Sequence, residues 1–179
     1  MSRYFDELTR AMTWLAQDPR TLFLGQAVAY PGTAMTNTLI GVSKEKLLEL
    51  PVFEETQMGM TTGLAITGMV PVSLFPRWNF LLCAVNQLVN HLDKVPVLGH
   101  GGFPGRAIIR TSIGSVRPLH PQHQHVGDFT DAFRSMCSTI NVIRLEESEQ
   151  IFPAYQHALE REDGHTTILV EYGDYYNEK

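Results

Sequence analysis

Two adjacent acids, Glu54 and Glu55, stand where an extended apolar segment meets a predicted helix of small residues. A short predicted strand follows, and an aromatic cluster that contains Trp78 and Phe80 then opens another helix. A carboxylate near flat apolar rings suits a planar heterocycle whose ring nitrogen must be protonated or hydrogen-bonded. The same acids could instead stabilise a helix N-terminus by roughly 0.3–1 kcal/mol, and the rings could serve as core. The residues alone leave both interpretations open.

A polar loop, residues 113–127, carries a second group of candidate residues. Its histidines, His120, His123 and His125, occur close together along the chain. Imidazoles titrate near neutral pH and often act as general acids or contact substrates, although exposed loops also carry solvated histidines. No acids or cysteines join them at the spacing of a known zinc motif, so we expect no metal site in this chain.

The elements that must position these residues alternate between strands rich in Val, Ile and Leu and helices. Most of the strands are continuously apolar, which indicates a largely parallel sheet covered on both faces, a three-layer α/β/α fold. The predicted strands are 21–25, 70–75, 95–100, 107–112, 140–145 and 166–172. The predicted helices are 3–17, 44–50, 56–67, 79–93, 128–137 and 148–161, and 29–38 reads as a loop. Sites in such folds lie beyond the carboxyl ends of the strands, where the acids, the rings and the histidine loop all fall.

Composition and charge narrow the class of protein. The 179 residues, 44% of them hydrophobic and 18% charged, suit one globular domain over residues 1–179. The net charge of −5 and the lack of a basic tract argue against nucleic acid or a membrane surface as a partner. The N-terminus does not resemble a signal peptide, and no stretch is long enough to span a membrane. We expect a cytoplasmic protein in which Cys83 and Cys137 are buried thiols.

The chain resembles a known family on the strength of these motifs. It is similar to the pyrimidine-binding domain of transketolase-like thiamine-diphosphate enzymes, and most of all to the beta subunit of 2-oxo acid dehydrogenase decarboxylase components. The family places a glutamate nine residues before the glycine of a Gly-x-Ala helix, as Glu54 stands before Gly63. The other matching motifs are Pro71-Val72, Trp78-Asn79-Phe80, Asn86-Gln87 and His123-Gln124. Together with the similar segments KVPVLGHGG, INVIRLEESEQ and TTILVEY, they give a likeness over about residues 20–172.

The resemblance implies roles for particular residues. In the family, the matching glutamate hydrogen-bonds a ring nitrogen of the cofactor's aminopyrimidine; Glu54 matches best and Glu55 is the next candidate. Phe80, with Trp78 beside it, matches the aromatic residue that packs on the pyrimidine ring. His123 matches the histidine that faces the substrate, and the two neighbouring histidines of the loop remain alternatives.

The resemblance also implies partners and a cofactor shared between chains. The sequence contains no Gly-Asp-Gly…Asn-Asn motif of the kind that holds magnesium and diphosphate. We also expect no transketolase C-terminal domain in this chain. We therefore expect thiamine diphosphate at an interface with a diphosphate-binding, alpha-like subunit that holds the magnesium, in an α2β2 assembly. The implied enzyme acts on 2-keto substrates and is of the transketolase or 2-oxo acid decarboxylase/dehydrogenase type.

Two other functions remain open at the level of the sequence. The first is a non-catalytic regulatory or scaffolding subunit of the same fold. The second is an unrelated α/β enzyme that relies on the histidine loop.

Overall fold

The computed structural model describes residues 3–30 and 32–177. Six strands form one sheet in the order β2-β1-β3-β4-β6-β5, and every neighbouring pair is parallel. The strands are β1 (Thr21–Gly25), β2 (Leu47–Glu49), β3 (Val70–Leu74), β4 (Ile108–Ile113), β5 (Asn141–Arg144) and β6 (Thr167–Tyr172). The expected parallel α/β sheet is confirmed.

Helices cover both faces of this sheet. They are α1 (Arg3–Leu15), α2 (Ala34–Asn37), α3 (Glu54–Ile66), α4 (Trp78–Leu82), α5 (Val95–Leu98), α6 (Thr130–Met136) and α7 (Ser148–Glu160). One hydrophobic core joins α1 and α7 to the sheet through residues such as Leu8 and Tyr155. The other joins α3, α4 and α6 to the opposite face through residues such as Met58 and Phe133. The fold therefore has the expected three layers.

Local sequence explains why these segments form these elements. In α1, buried Tyr4, Leu8, Met12 and Leu15 recur at spacings of three and four and form one apolar face. All five residues of β3 are buried, as a strand covered on both faces requires.

Two predicted elements were wrong. Residues 95–98 form helix α5 rather than a strand, because a short apolar run does not distinguish the two and Pro96 is tolerated in a first helical turn. Residues 44–50 do not form a helix: a 3-10 turn, Lys44–Lys46, leads into β2, which pairs with β1 at the edge of the sheet. In addition, the predicted loop 29–38 contains the four residues of α2.

The predicted helix 79–93 is helical but interrupted. After α4 it continues as a π-helical turn, Gln87–His91, and a 3-10 turn, Leu92–Lys94. Within that last turn, the fully buried carboxylate of Asp93 accepts hydrogen bonds from the backbone N–H groups of Ser138, Thr139 and Ile140. This single side chain fastens the turn to the loop before β5.

A buried ion pair lies between the sheet and the layer of α1 and α7. Arg110 of β4 and Glu171 of β6 are both completely buried, and Arg110 Nε and Nη2 donate to the two carboxylate oxygens at 2.7 and 3.0 Å. The hydroxyls of Tyr155 and Tyr176 donate to the same carboxylate. Burial raises the pKa of both tyrosines well above the usual value, so they remain protonated donors.

Within the described ranges, no helix combines the length and the apolar character needed to cross a membrane.

Candidate active site

The carboxyl ends of β1, β2 and β3 converge on a narrow slot. It is lined by residues that follow these three strands and by a ring of α4: Gln26, Pro51, Val52, Phe53, Glu54, Gln57, Leu74, Phe75, Pro76 and Phe80. Its volume of about 10 Å³ is no more than one water molecule requires. We call this space the slot.

A larger cavity of about 740 Å³ adjoins the slot and opens to solvent. The two spaces share Val52, Phe53 and Glu54, and this open cavity then runs along α3 past Gly59. Val52 and Phe53 are 58% and 64% exposed, so large apolar side chains stand at its mouth. The cavity is therefore open to solvent where these two side chains stand.

The two adjacent acids occupy different environments. Glu54 is half-buried and lines both the slot and the open cavity. Its carboxylate makes no hydrogen bond or ion pair with any residue that the structure describes. Glu55 is exposed, lines only the open cavity, and accepts a hydrogen bond from Asn86 Nδ2 at 3.2 Å. The geometry thus distinguishes two acids that the sequence could not separate.

Gln57 fixes the start of α3 against the sheet. Its buried Nε2 donates to Ser73 Oγ and to the Leu74 carbonyl oxygen, both at 2.9 Å. At the end of β1, Gly25 has a φ of +155°, and a Cβ there would lie 2.7 Å from the same carbonyl oxygen. Sequence analysis missed Gln57; the available signal was a polar residue on the buried face of α3, one turn after Glu54.

The two rings of the aromatic cluster differ in their roles. Phe80 is half-buried and lines the slot, while its contact with a pyrimidine ring stays a prediction. Trp78 is 0% exposed and packs on Phe133, with ring centroids 4.7 Å apart. The α6 side of the core encloses the indole of Trp78, which supports the segment that carries Phe80. A contact between Trp78 and the cofactor stays a prediction.

The loop histidines are also placed differently from one another. His125 stacks on Phe80, with ring centroids 5.1 Å apart and an interplanar angle of 25°. Its Nδ1 is buried without a hydrogen-bond partner among the described residues. His120 and His123 are exposed, and His120 Nδ1 accepts from the backbone N–H of Gln122 at 2.9 Å. His125 is the histidine beside Phe80; a substrate contact by His123 stays a prediction.

Two further observations concern possible ligands and thiols. In the described part of the chain, no group of three His, Cys, Asp or Glu side chains is arranged to hold a metal ion. Both cysteines are free, but Cys83 is exposed in the open cavity, so the expectation of a buried thiol is wrong there. Burial raises the pKa of Cys137 to about 12, so that thiol stays protonated at neutral pH.

Comparison with known proteins connects this geometry to a family. No protein-family model matches the chain. The chain is 32% identical over 123 residues to the pyruvate dehydrogenase E1 component subunit beta of Gracilaria tenuistipitata var. liui, covering 66% of this chain and 38% of that protein. It is 28% identical over 114 residues to the mitochondrial E1 beta subunit of Drosophila melanogaster, covering 61% of this chain and 31% of that protein.

Solved structures show the same fold. The transketolase of Campylobacter jejuni superposes with a TM-score of 0.71 at 14% identity, over 93% of this chain and 25% of that chain. A split-gene transketolase described as an inactive beta4 tetramer superposes with a TM-score of 0.61 at 13% identity, over 95% of this chain and 51% of that one. The chain has the fold of a transketolase-like pyrimidine domain.

The chain is similar in sequence to E1 beta subunits but spans only about a third of the length of these two curated relatives. Its structural counterparts likewise extend beyond it, since it covers at most 51% of either.

Proposed function

We propose that this pyrimidine domain is the beta-like part of a two-chain thiamine-diphosphate enzyme that acts on 2-keto substrates, with Glu54 as the residue that activates the cofactor. The observation that carries this proposal is the position of Glu54. Its half-buried carboxylate, without a partner among the described residues, faces a slot whose walls include the ring of Phe80. An acid placed in this way can accept or share a proton with a bound heterocycle.

The residues of the slot fit an aminopyrimidine ring. Glu54 offers an oxygen to a ring nitrogen, and Phe53, Leu74 and Phe80 offer apolar surface to a flat ring. Because the slot has room for only about one water molecule, the ring would lie mainly in the adjoining open cavity, at the boundary where Val52, Phe53 and Glu54 line both spaces. When bound, thiamine diphosphate supplies a nucleophilic carbon for attack on a keto carbonyl and an electron sink for the bond that breaks. In this scheme Glu54 holds the proton at the ring nitrogen.

A partner chain is proposed on the exposed face of α3. A Cβ added at Gly63 would meet nothing within 4 Å, and one at Gly59 would meet only Gln87, no closer than 3.8 Å. The helix backbone is therefore open to close approach from outside the chain. We propose that an alpha-like subunit packs here, supplies the magnesium and diphosphate site, and forms an α2β2 assembly. The relatives support only the existence of a partner, since they are named as beta subunits of an E1 component.

The proposal can be tested with two isosteric substitutions. The chain is co-expressed with a diphosphate-binding subunit encoded nearby, and decarboxylation or ketol transfer is assayed with 2-keto acids and sugars. Glu54→Gln should lower kcat by about a hundredfold or more, since a positioned acid–base group contributes that much. Glu55→Gln is the matched control and should retain most of the activity. Full activity in the Glu54→Ala, Glu55→Ala double variant would refute the proposed role.

One observation favours a second candidate function, a non-catalytic regulatory subunit. The slot has room for about one water molecule, and His125 already covers one face of Phe80. If the assembled complex binds no thiamine diphosphate in calorimetry, this alternative is preferred. An enzyme that relies on the histidine loop instead would lose activity in His123→Ala and keep it in Glu54→Ala.

A further inference from the structure

A cavity separate from the slot lies beside helix α1, on the face of the sheet that α1 and α7 cover. Its volume is about 580 Å³, within the range of small-molecule sites. It is bounded by α1, by the segments that follow β1 and α2, and by the 3-10 turn after β6. Among the described residues, it shares no lining residue with the slot or the open cavity. We call it the α1 cavity.

The floor of the α1 cavity is apolar and fixed in place. Phe5, Val28 and Leu39 line it, are only 2–8% exposed and belong to the hydrophobic core under α1. The ring of Tyr176 also lines the cavity, and its hydroxyl is held in the core because it donates to the Glu171 carboxylate. A preformed apolar surface of this kind suits the body of a small molecule.

Two large side chains at the rim of the α1 cavity are exposed. Tyr30 is 69% exposed and Ile40 is 84% exposed, and both line the cavity. The buried floor and this rim together form one apolar surface that the described chain leaves uncovered, and such surfaces commonly mark ligand or partner sites. The volume favours a small molecule as the occupant, since a stable protein partner needs a much broader surface.

Asp6 gives this apolar cavity a negative charge. It is the one charged side chain among the described lining residues, and its carboxylate makes no hydrogen bond or ion pair with any described residue. The next acid of the same helix, Glu7, pairs instead with Arg10 at 2.7 Å. Asp6 lies in the first turn of α1, where an acid interacts favourably with the helix dipole. That interaction leaves its carboxylate oxygens free to accept hydrogen bonds from a ligand.

The other polar groups of the wall indicate the same kind of ligand. The hydroxyl of Thr9 already donates to the Phe5 carbonyl oxygen at 3.0 Å, and the hydroxyl of Thr36 donates to that of Ala27. The side-chain amide of Asn37 makes no hydrogen bond with any described residue, so its oxygen can accept one from a ligand. The free acceptors thus include a carboxylate and an amide oxygen, and none of the described lining side chains is cationic. This set favours a positively charged hydrogen-bond donor.

We infer that the α1 cavity binds a small organic cation, an apolar or aromatic body that carries a protonated amine, with Asp6 as the acceptor for the ammonium group. The ammonium forms charge-assisted hydrogen bonds to the carboxylate, and the body is removed from water against the apolar floor. The site lies outside the slot and the open cavity, so the inference does not depend on the function proposed for Glu54.

The experiment measures ligand binding by the full chain, isotope-labelled and without cofactor or partner. Phenethylamine is the cationic probe, and phenethyl alcohol and hydrocinnamate are neutral and anionic probes of similar size. Shifts of backbone amides in NMR titrations report both the affinity and the place of binding. Phenethylamine should bind saturably and shift the amides of Thr36, Asn37 and Leu39, which line the cavity. Hydrocinnamate should bind there about tenfold more weakly or not at all, because Asp6 repels its carboxylate.

Substitutions in α1 test the recognition of charge and the place of binding. Asp6→Asn keeps the shape of the side chain and removes its charge, so it should weaken the binding of phenethylamine about fivefold or more and leave that of phenethyl alcohol nearly unchanged. Glu7→Gln is the matched control, since Glu7 does not line the cavity and pairs with Arg10. Thr9→Phe fills the cavity from the side of α1 and should abolish the binding of phenethylamine there.

The outcomes separate a ligand site from a structural surface. No saturable binding of phenethylamine at these amides, an equal affinity for hydrocinnamate, or unchanged affinity in Asp6→Asn would overturn the inference and leave Asp6 as an acid that stabilises a helix end. Wild-type affinity in Thr9→Phe would overturn it equally. So would a chain that binds none of the probes but dimerises in sedimentation and loses the dimer in Ile40→Asp, because this face would then contact a second copy. Glu54→Gln should leave the binding unchanged, so the result is independent of the activity test on Glu54.

Discussion

Glu171 and Glu54 are two glutamates of one small domain that differ in burial and in their hydrogen-bond partners. Glu171 is 0% exposed, and a guanidinium and two tyrosine hydroxyls donate to its two oxygens. Glu54 is half-buried at the edge of the sheet, and the described chain provides no donor to its carboxylate. Both acids lie near strand ends. Only Glu171 receives hydrogen bonds at its carboxylate oxygens from other residues of the described chain.

The difference separates structural from functional polar groups. A buried acid must be saturated with donors, since an unpaired charge in the interior costs several kcal/mol. An acid left without partners at the mouth of a cavity makes little contribution to folding and stays available for a ligand. Asp93 belongs with Glu171, because Ser138, Thr139 and Ile140 all donate to it.

The largest expected effect is the loss of the buried pair. Glu171→Gln leaves Arg110 charged and without its partner in the core, so the free energy of unfolding should fall by about 3–5 kcal/mol. The fall is measured from the midpoint of urea unfolding followed by circular dichroism. Glu54→Gln should leave that midpoint within error.

Glu149→Gln is the matched control for this comparison, since Glu149 pairs with Arg3 at an exposed site where both side chains are more than half accessible. An exposed pair contributes about 0–1 kcal/mol. If Glu171→Gln is as stable as this control, the contrast between Glu171, which is fully hydrogen-bonded for stability, and Glu54, which is left free for a ligand, does not hold.

A smaller, pH-dependent effect is expected from Asp93. Burial alone would raise the pKa of this carboxyl, but the hydrogen bonds from Lys94, Thr139 and Ser138 hold it well below the usual range. An Asp in the unfolded chain has a pKa of about 3.9. The contribution of Asp93 is therefore fully present above that pH and is lost as pH falls toward the lower pKa of the folded state.

Asp93→Asn should cost about 1–3 kcal/mol at pH 7, because the amide cannot satisfy all of the donors that surround the carboxylate. The stability difference from the wild type should shrink as the pH of a urea titration series is lowered from about 5 to about 2. A difference that stays constant over this range would show that the charge of Asp93 contributes nothing.

The same contrast explains how far the sequence could predict the fold. Continuous apolar strands such as β1 and β3 are buried on both faces, and their sequence carries that information directly. β2 and α5 were misassigned because their identity depends on neighbours: β2 is a strand only because β1 offers it an edge. Short segments such as KEKLLEL and VPVLGH cannot reveal such a neighbour.

The candidate site was predictable in its chemistry but not in its geometry. The sequence predicted that Glu54 and the ring of Phe80 lie beyond the carboxyl ends of the strands, and the structure places both there. It could not show that Glu54 faces the slot while Glu55 binds Asn86, since adjacent residues of a helix differ only in direction. Nor could it show that Trp78 is enclosed, because burial depends on Phe133, more than fifty residues away.

The smallest expected effect tests whether the open face of α3 is structural or functional. Gly63 lies inside this helix, is exposed, and would have nothing within 4 Å of an added Cβ. Gly63→Ala should therefore stabilise the isolated chain by about 0.5–1 kcal/mol through helix propensity. Urea unfolding of the separate chain measures this gain.

The same methyl group should have the opposite effect on assembly. If a partner helix approaches the backbone at Gly63, the added Cβ overpacks the contact and should weaken the affinity for the alpha-like subunit about tenfold, measured by calorimetry. Gln156→Ala on the exposed side of α7 is the control and should change neither quantity much. A Gly63→Ala chain that is more stable and assembles with unchanged affinity would show that the partner docks elsewhere than on the Gly63 face of α3.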